Sequence, residues 1–178
     1  MERLSASHIA AAQGGFEPQR PNNFIVRITP PGGDAEVIEL TIFSCPFPAD
    51  ATEVMRIPYI NEERKVAGKT TIQGDGMELV MTDYVDQQVL QTMRQWRRMV
   101  FDPRSGRTGL AANYKVEGQL LLFGPEGSME RSWTLIGVWP SALNSGEGSM
   151  ERATDANRIT VTLQVDLAFL DGEPAMVA

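Results

Sequence analysis

The chain has 178 residues, the length of a single domain, and 42% of them are apolar, enough to bury a core without a disulfide or metal staple. The single cysteine, Cys45, excludes an internal disulfide framework and any cysteine-rich zinc site. A net charge of −7 argues against tight nucleic-acid binding, which needs a basic footprint to neutralise phosphates; it allows nucleic acid to pass by without adhering.

Residues 1–22 read as an arm, rich in Ala, Gly and Ser, balanced in charge and closed by Pro21. Such a segment is either a frayed terminus or an arm that orders against a neighbouring subunit. It lacks the apolar centre of a secretion signal, and no apolar run approaches the roughly 18–20 residues of a membrane helix. No membrane partner is expected, and folding is expected in a cytoplasm.

From Asn23 the pattern is mostly β. Residues 23–29 alternate Phe24, Val26 and Ile28 against Ile25 and Arg27, a period of two. The cluster Pro30-Pro31-Gly32-Gly33-Asp34 is a turn. Residues 36–43 follow with Ile38, Leu40 and Ile42 opposite Val37, Glu39 and Thr41, which predicts the second strand of a hairpin. Pro46 and Pro48 break the ladder over 44–49. Another strand is expected at 52–59, a polar exposed loop at 60–69, and β segments at 70–73 and 77–82 around Gly74-Asp75-Gly76.

Residues 83–101 change period. Val85, Val89, Met93, Trp96 and Val100 recur on one helical face opposite Gln87, Gln91, Arg94, Gln95 and Arg98, predicting an amphipathic helix. Thr82 or Asp83 can cap its start, Asp83 and Asp86 and then Arg97 and Arg98 suit its dipole, and Pro103 ends it. Strands are expected again at 114–123 and 131–138 around a turn at Gly124-Pro125-Glu126-Gly127. Residues 157–170 alternate most clearly, with Ile159, Val161, Leu163, Val165, Leu167 and Phe169 on one face. The domain thus spans 23–170, with a loose tail at 171–178. The sequence Glu-Gly-Ser-Met-Glu-Arg occurs twice, at 126–131 and 147–152, without matching flanks; it is a copied turn or a coincidence, not a repeat architecture.

Catalytic chemistry has little to build on. His8 is the only histidine and lies in the arm, away from any rigid frame a triad needs. Cys45 sits among prolines with no base nearby in sequence and reads as a buried structural thiol. The carboxylates are scattered, and neither Gly74-Asp75-Gly76 nor Gly106-Arg107-Thr108-Gly109 is a phosphate loop. No catalytic residue, cofactor or metal is expected. Residues 83–107 carry five arginines, at 94, 97, 98, 104 and 107, against three aspartates. This is either a solvated helix face or a docking surface for an acidic partner.

Four segments in this order resemble the major tail tube proteins of contractile-tailed phages and the related inner tubes of contractile injection machines. They are Asn22-Asn23-Phe24-Ile25-Val26-Arg27-Ile28, the Trp96 that closes Leu90-Gln91-Thr92-Met93-Arg94-Gln95-Trp96, the turn Gly137-Val138-Trp139-Pro140, and Asn157-Arg158-Ile159-Thr160-Val161-Thr162-Leu163. The resemblance covers residues 22–170, with Gly137-Val138 in place of the family's usual Asn-Ala. It implies a mainly β fold, two packed antiparallel sheets forming a sandwich or barrel with one flanking helix, assembled into a hexameric ring around a continuous lumen barrel. Roughly 24 strands at about 4.8 Å spacing and about 40° tilt leave a bore of roughly 35–40 Å.

The implied partners are copies of the chain itself in stacked rings, a sheath protein, and baseplate and tail terminator proteins. DNA passes through without specific binding, in a virion tail assembled in the host cytoplasm. The implied lumen-lining candidates are Glu39, Glu53, Glu78 and Asp166, each of which also fits an ordinary solvated face. The implied ring-stacking loop carries Asn61, Glu62, Glu63, Arg64 and Lys65, and the implied sheath-facing candidates are Arg94, Arg97 and Arg98. Two other classes remain at this stage. A monomeric β-barrel binding module predicts a lined pocket, and a small enzyme predicts a cluster of titratable groups. A single-stranded nucleic-acid barrel needs interleaved basic and aromatic residues, and aromatics are only 7% of the chain.

Overall fold

The structure, a computed structural model, describes residues 19–72, 74, 76–85, 88–148 and 155–172. Most of the predicted arm, with His8, most of the predicted tail and the second Glu-Gly-Ser-Met-Glu-Arg copy from 149 onward lie outside the described residues. The first strand, β1 (Phe24–Ile28), falls where the alternation places it, with Val26 and Ile28 buried and Arg27 outward. The Pro30 turn follows, its Gly33 N–H donating to the Pro30 carbonyl at 3.0 Å.

The next segment overturns the hairpin expectation: residues 35–41 form a helix, α1 (Ala35–Thr41). Asp34 caps it by accepting from the Glu36 N–H at 3.2 Å, which satisfies a donor that a helix start leaves free. Ile38 and Thr41, three apart, are the residues it buries, whereas Leu40, which a strand would place beside Ile38, is 65% exposed. A short apolar run fits either period, and the cap decides between them.

β2 (Ile42–Ser44) follows, then a proline-bearing strap at 45–49. β3 (Asp50–Pro58) pairs with β4 (Glu63–Ile72) in a two-stranded hairpin. Most of the predicted loop at 60–69 is therefore strand, and only the turn at 59–62 lies between the two. β5 (Met77–Thr82) matches its prediction, burying Met77, Leu79 and Met81.

The main helix, α2 (Val89–Val100), starts six residues later than the periodicity predicts. The backbone before it belongs to the sheet: Thr82 pairs with Arg158, and the Asp83 N–H donates to the Asn157 carbonyl at 2.9 Å. Neither Thr82 nor Asp83 caps the helix. Gln88 enters it at φ +50°, and Val85 is left 97% exposed. Val89, Met93, Trp96 and Val100 form the buried stripe, as expected. A small ribbon of β6 (Phe101–Asp102) and β7 (Arg107–Thr108) precedes α3 (Ala111–Tyr114), a turn of helix where the strand at 114–123 was expected to begin. The Trp96 indole N–H donates to the Tyr114 carbonyl at 2.7 Å, fastening α2 to that turn.

The remaining strands are β8 (Val116–Phe123), β9 (Met129–Asn144), β10 (Arg158–Gln164) and β11 (Leu167–Leu170). The large sheet has the order β1-β8-β9-β10-β5-β2, with β11 also on β9, and every pairing is antiparallel. The fold is mainly β, as predicted, but the two sheets expected of a sandwich are two halves of one curled sheet. Strand β9 belongs to both: its first half pairs with β8 and β11, its second with β10.

Gly137 makes the corner. It holds φ +70° within β9, and the β8–β9 register slips between Val116 and Gly118, opposite it. This is the geometry of a bulge, which bends a strand. Across the ladder, the predicted single strand at 157–170 breaks at Val165-Asp166. Ile159, Val161, Leu163 and Val165 are buried as predicted, but Leu167 and Phe169 turn outward and Ala168 packs on the core. The alternation reverses at this break although the register against β9 runs on unbroken, from Leu163 opposite Pro140 to Leu167 opposite Ile136; both strands turn together where Gly137 bends β9. The concave side of the sheet, closed by α1 and α2, holds the core around Trp96, Met93, Leu135 and Ile159.

Candidate assembly surface

Three surface features stand out. The first is the β3–β4 hairpin. Its contacts run between its own strands, with no substantial contact to any other described element, and every residue of β3 is exposed. The register gives it two chemically distinct faces. Met55, Ile57 and Tyr59 share one face with Val66 and Arg64; Val54, Arg56 and Pro58 share the other with Ala67, Lys65 and Glu63. Arg56 and Glu63 pair at 3.4 Å on the second face. At the tip, Tyr59 and Glu62 close the turn through their backbones, 2.7 and 3.3 Å, and Ile60 is fully exposed at 100%. Near its base Thr52 and Thr70 share a hydroxyl hydrogen bond at 2.9 Å. A lone two-stranded hairpin is marginally stable in water, and an exposed apolar face on it marks a contact surface.

The second feature is a cleft of about 220 Å³ lined by Gln19, Pro21, Phe47, Leu122, Arg131 and Trp133. The strap after β2 lays Phe47 on Trp133, ring centroids 5.4 Å apart. Gln19 closes one side by donating to the Phe123 carbonyl at 2.8 Å. Leu122 is buried at its floor, and Arg131 is exposed. Cys45, two residues from Phe47, packs against the core, and burial pushes its thiol pKa up to about 12, as expected of a structural thiol.

The third feature is α2 with the β6–β7 ribbon. Arg94 is exposed and donates to the Ser145 hydroxyl at 3.3 Å, and Arg98 is exposed. Arg97 is half-buried, with one guanidinium nitrogen, Nη1, enclosed and without a partner among the described residues. The Asp102 carboxylate accepts from the Ser105 hydroxyl at 2.6 Å and from the Arg104 and Ser105 N–H groups. These contacts, the hydroxyl first, hold its pKa below the ordinary value, with Arg98 adding to the effect. At i, i+3 and i+4 the three arginines share one side of α2, with Arg97 the most enclosed of them.

The structure does not gather the four lumen-lining candidates. Glu39 lies on α1 and pairs with Arg27 at 3.5 Å, so the strand position assigned to it is corrected. Glu53 is on the projecting hairpin. Asp166 sits at the break between β10 and β11, where Lys115 donates to it at 2.5 Å. Only Glu78 lies on the outer face of the curled sheet, across from Thr162 of β10. Asn61 and Glu62 are in the hairpin tip; Glu63, Arg64 and Lys65 begin β4.

Sequence reasoning missed Met55, Ile57, Tyr59 and Ile60 as a surface, because alternating apolar residues read as half-buried strand. It also missed the cleft, whose aromatic walls lie 86 residues apart in sequence. The available signals were two apolar residues, Tyr59 and Ile60, between a proline and a charged run. Among the described residues no three His, Cys, Asp or Glu side chains gather as a metal site, and no helix is long and apolar enough to cross a membrane.

This fold is similar to that of chains in several solved structures of contractile injection systems. A chain in the structure of the anti-feeding prophage cap, its tube-terminating cap, superposes with a TM-score of 0.69 at 14% identity, over 90% of this chain and 95% of that one. A chain of the anti-feeding prophage baseplate gives 0.65 at 12% identity, over 88% and 97%. A chain of the sheath–tube complex of the extracellular contractile injection system PVC, in its extended state, gives 0.61 at 16% identity, over 94% and 98%. The tail-tube resemblance carried by the four sequence segments thus meets the same group of structures at the level of the fold. No protein-family model matches the sequence, and no curated protein matches it.

Proposed function

We propose that this chain is a structural subunit of a contractile tail or injection machine, and within it a tube protein that assembles into stacked hexameric rings. The observation that carries this reading is the β3–β4 hairpin, an amphipathic ribbon that nothing else in the described chain covers. The full-length likeness to chains of tube-terminating, baseplate and sheath–tube assemblies supports it. The large sheet supports it too: among the described residues its path ends at β1 and β2, each paired on one side. Open edges invite pairing with another chain, and a ring of copies uses them.

In this reading the protein works by assembly, not catalysis, and needs no cofactor. Its partners are other copies of itself, a sheath protein, and baseplate and terminator proteins. The net charge of −7 suits a conduit whose cargo must not adhere, since like charge keeps a phosphate backbone off the wall. Delivery of a genome from a virion tail is one form of this function. The tube of an injection machine is the other, favoured by the likeness to the anti-feeding prophage and PVC systems.

The test is negative-stain electron microscopy of the purified protein, with its mass followed by light scattering. Rings or tubes with a stain-filled bore are expected. A protein that stays at the mass of one chain at high concentration, without rings, overturns the proposal.

A further inference from the structure

The hairpin and the cleft are a knob and a hole on the same chain. We propose that the hairpin tip of one copy, Tyr59-Ile60-Asn61-Glu62, seats in the Phe47–Trp133 cleft of a second copy, with Ile60 against the stacked rings and Glu62 beside Arg131. The inference rests on the tube reading and names the receptor for its stacking contact.

Reach excludes binding within one copy. Phe47 lies in the strap three residues before β3, at the base of the hairpin. Nine residues of extended strand carry the tip about 30 Å away from that base, and the hairpin does not fold back onto the body. The tip therefore meets this cleft only on another copy. Chemistry fits as well as reach. Ile60 is fully exposed, and the cleft offers aromatic rings and about 220 Å³, room for one aliphatic side chain with a neighbouring methylene. Arg131 at the cleft and Glu62 at the tip are both exposed, and neither has an ion-pair partner among the described residues.

The symmetry also fits. Two different patches in contact make a head-to-tail interface, which joins more than two copies, closing a ring or propagating along an axis. Each step advances from the tip of one hairpin to the base of the next, so propagation runs along the hairpin direction. That is stacking, distinct from the sideways pairing of sheet edges that closes a ring.

The test uses the full chain. Ile60→Asp is expected to raise the protein concentration at which stacks form by on the order of tenfold or more, as loss of an interface anchor does. Glu62→Arg and Arg131→Glu are each expected to weaken stacking, and the double variant to restore it. Glu62→Cys with Arg131→Cys is expected to give a reducible ladder of covalent oligomers from mildly oxidised stacks; the half-buried Cys45 thiol, its pKa pushed up to about 12, competes poorly.

If wild-type rings stack, the single variants stack equally well and the cysteine pair stays uncrosslinked, the cleft is not the receptor and this inference falls while the tube reading stands. Rings that never stack also overturn the inference. Wild-type protein that forms neither rings nor stacks overturns both.

Discussion

Gly137→Ala tests the corner of the sheet. Gly137 holds φ +70° in the middle of β9, where an L-residue pays about 1–2 kcal/mol for left-handed backbone. A Cβ there also runs into the carboxylate of Asp166, the residue at the break between β10 and β11. Relief requires moving Asp166, which loosens its contact with Lys115; that pair is half-exposed and contributes about 0.2–1 kcal/mol. The sum is a loss of about 1–3 kcal/mol. At about 2–4 °C per kcal/mol for a domain of this size, the Tm falls by about 2–12 °C. Thermal unfolding followed by circular dichroism measures it. In an Asp166→Ala background the same substitution should cost about 1 kcal/mol less, because the closest clashing atoms are gone. A Tm drop below about 2 °C for Gly137→Ala, or no difference between the two backgrounds, refutes the account of the corner.

Four further predictions follow from particular contacts. Trp96→Ala empties a fully buried site and should cost about 3–5 kcal/mol; Trp96→Phe strands the Tyr114 carbonyl and should cost about 1–3 kcal/mol, so an unchanged urea midpoint for the Phe variant contradicts the role of that hydrogen bond. Arg97→Met removes the enclosed, unpartnered Nη1 and should leave stability unchanged or higher, because an unmet buried donor is itself a cost; a loss above about 1 kcal/mol shows an unseen partner. With its thiol pKa near 12, Cys45 should react with disulfide reagents at pH 8 on the order of a thousandfold more slowly folded than in urea, and equal rates sink the burial assignment. The lowered pKa of Asp102 means the unfolded chain binds its proton more readily. Its support for the β6–β7 turn is therefore present above the ordinary carboxylate pKa and lost as pH falls through the lowered one. The Arg104 and Ser105 amide signals should shift below about pH 3.9, and a midpoint at or above that value contradicts the hydrogen-bonded turn.

Legibility in the sequence followed how local the deciding physics was. Strand β5 and the buried stripe of α2 were readable because one face of each packs on the core, and burial prints a period on the residues. The alternation at 36–43 was equally clear and misled, because Ile38, Leu40 and Ile42 fit a strand while Asp34 stood ready to cap a helix. The strand at 157–170 was readable as far as Val165; beyond it, the phase follows the corner at Gly137, which belongs to another strand. The run of charge at 61–65 looked like loop because it is exposed, yet Glu63, Arg64 and Lys65 open a strand whose two faces are both exposed there, so no burial pattern marks it.

The candidate surface divides in the same way. Asn61, Glu62 and the arginines of α2 were named from sequence, since charge and turn residues announce themselves locally. The sequence by itself determined a mainly β chain with one amphipathic helix, an acidic balance and no local grouping of catalytic residues. Only the tertiary structure decided that two sheets are one curled sheet, that Glu39 rides a helix, that Ile60 stands alone at the end of a hairpin, and that Phe47 meets Trp133 to make a cleft. Periodicity records which face of an element is buried; it carries no record of what lies across the core or beyond the surface, because those contacts join residues far apart along the chain.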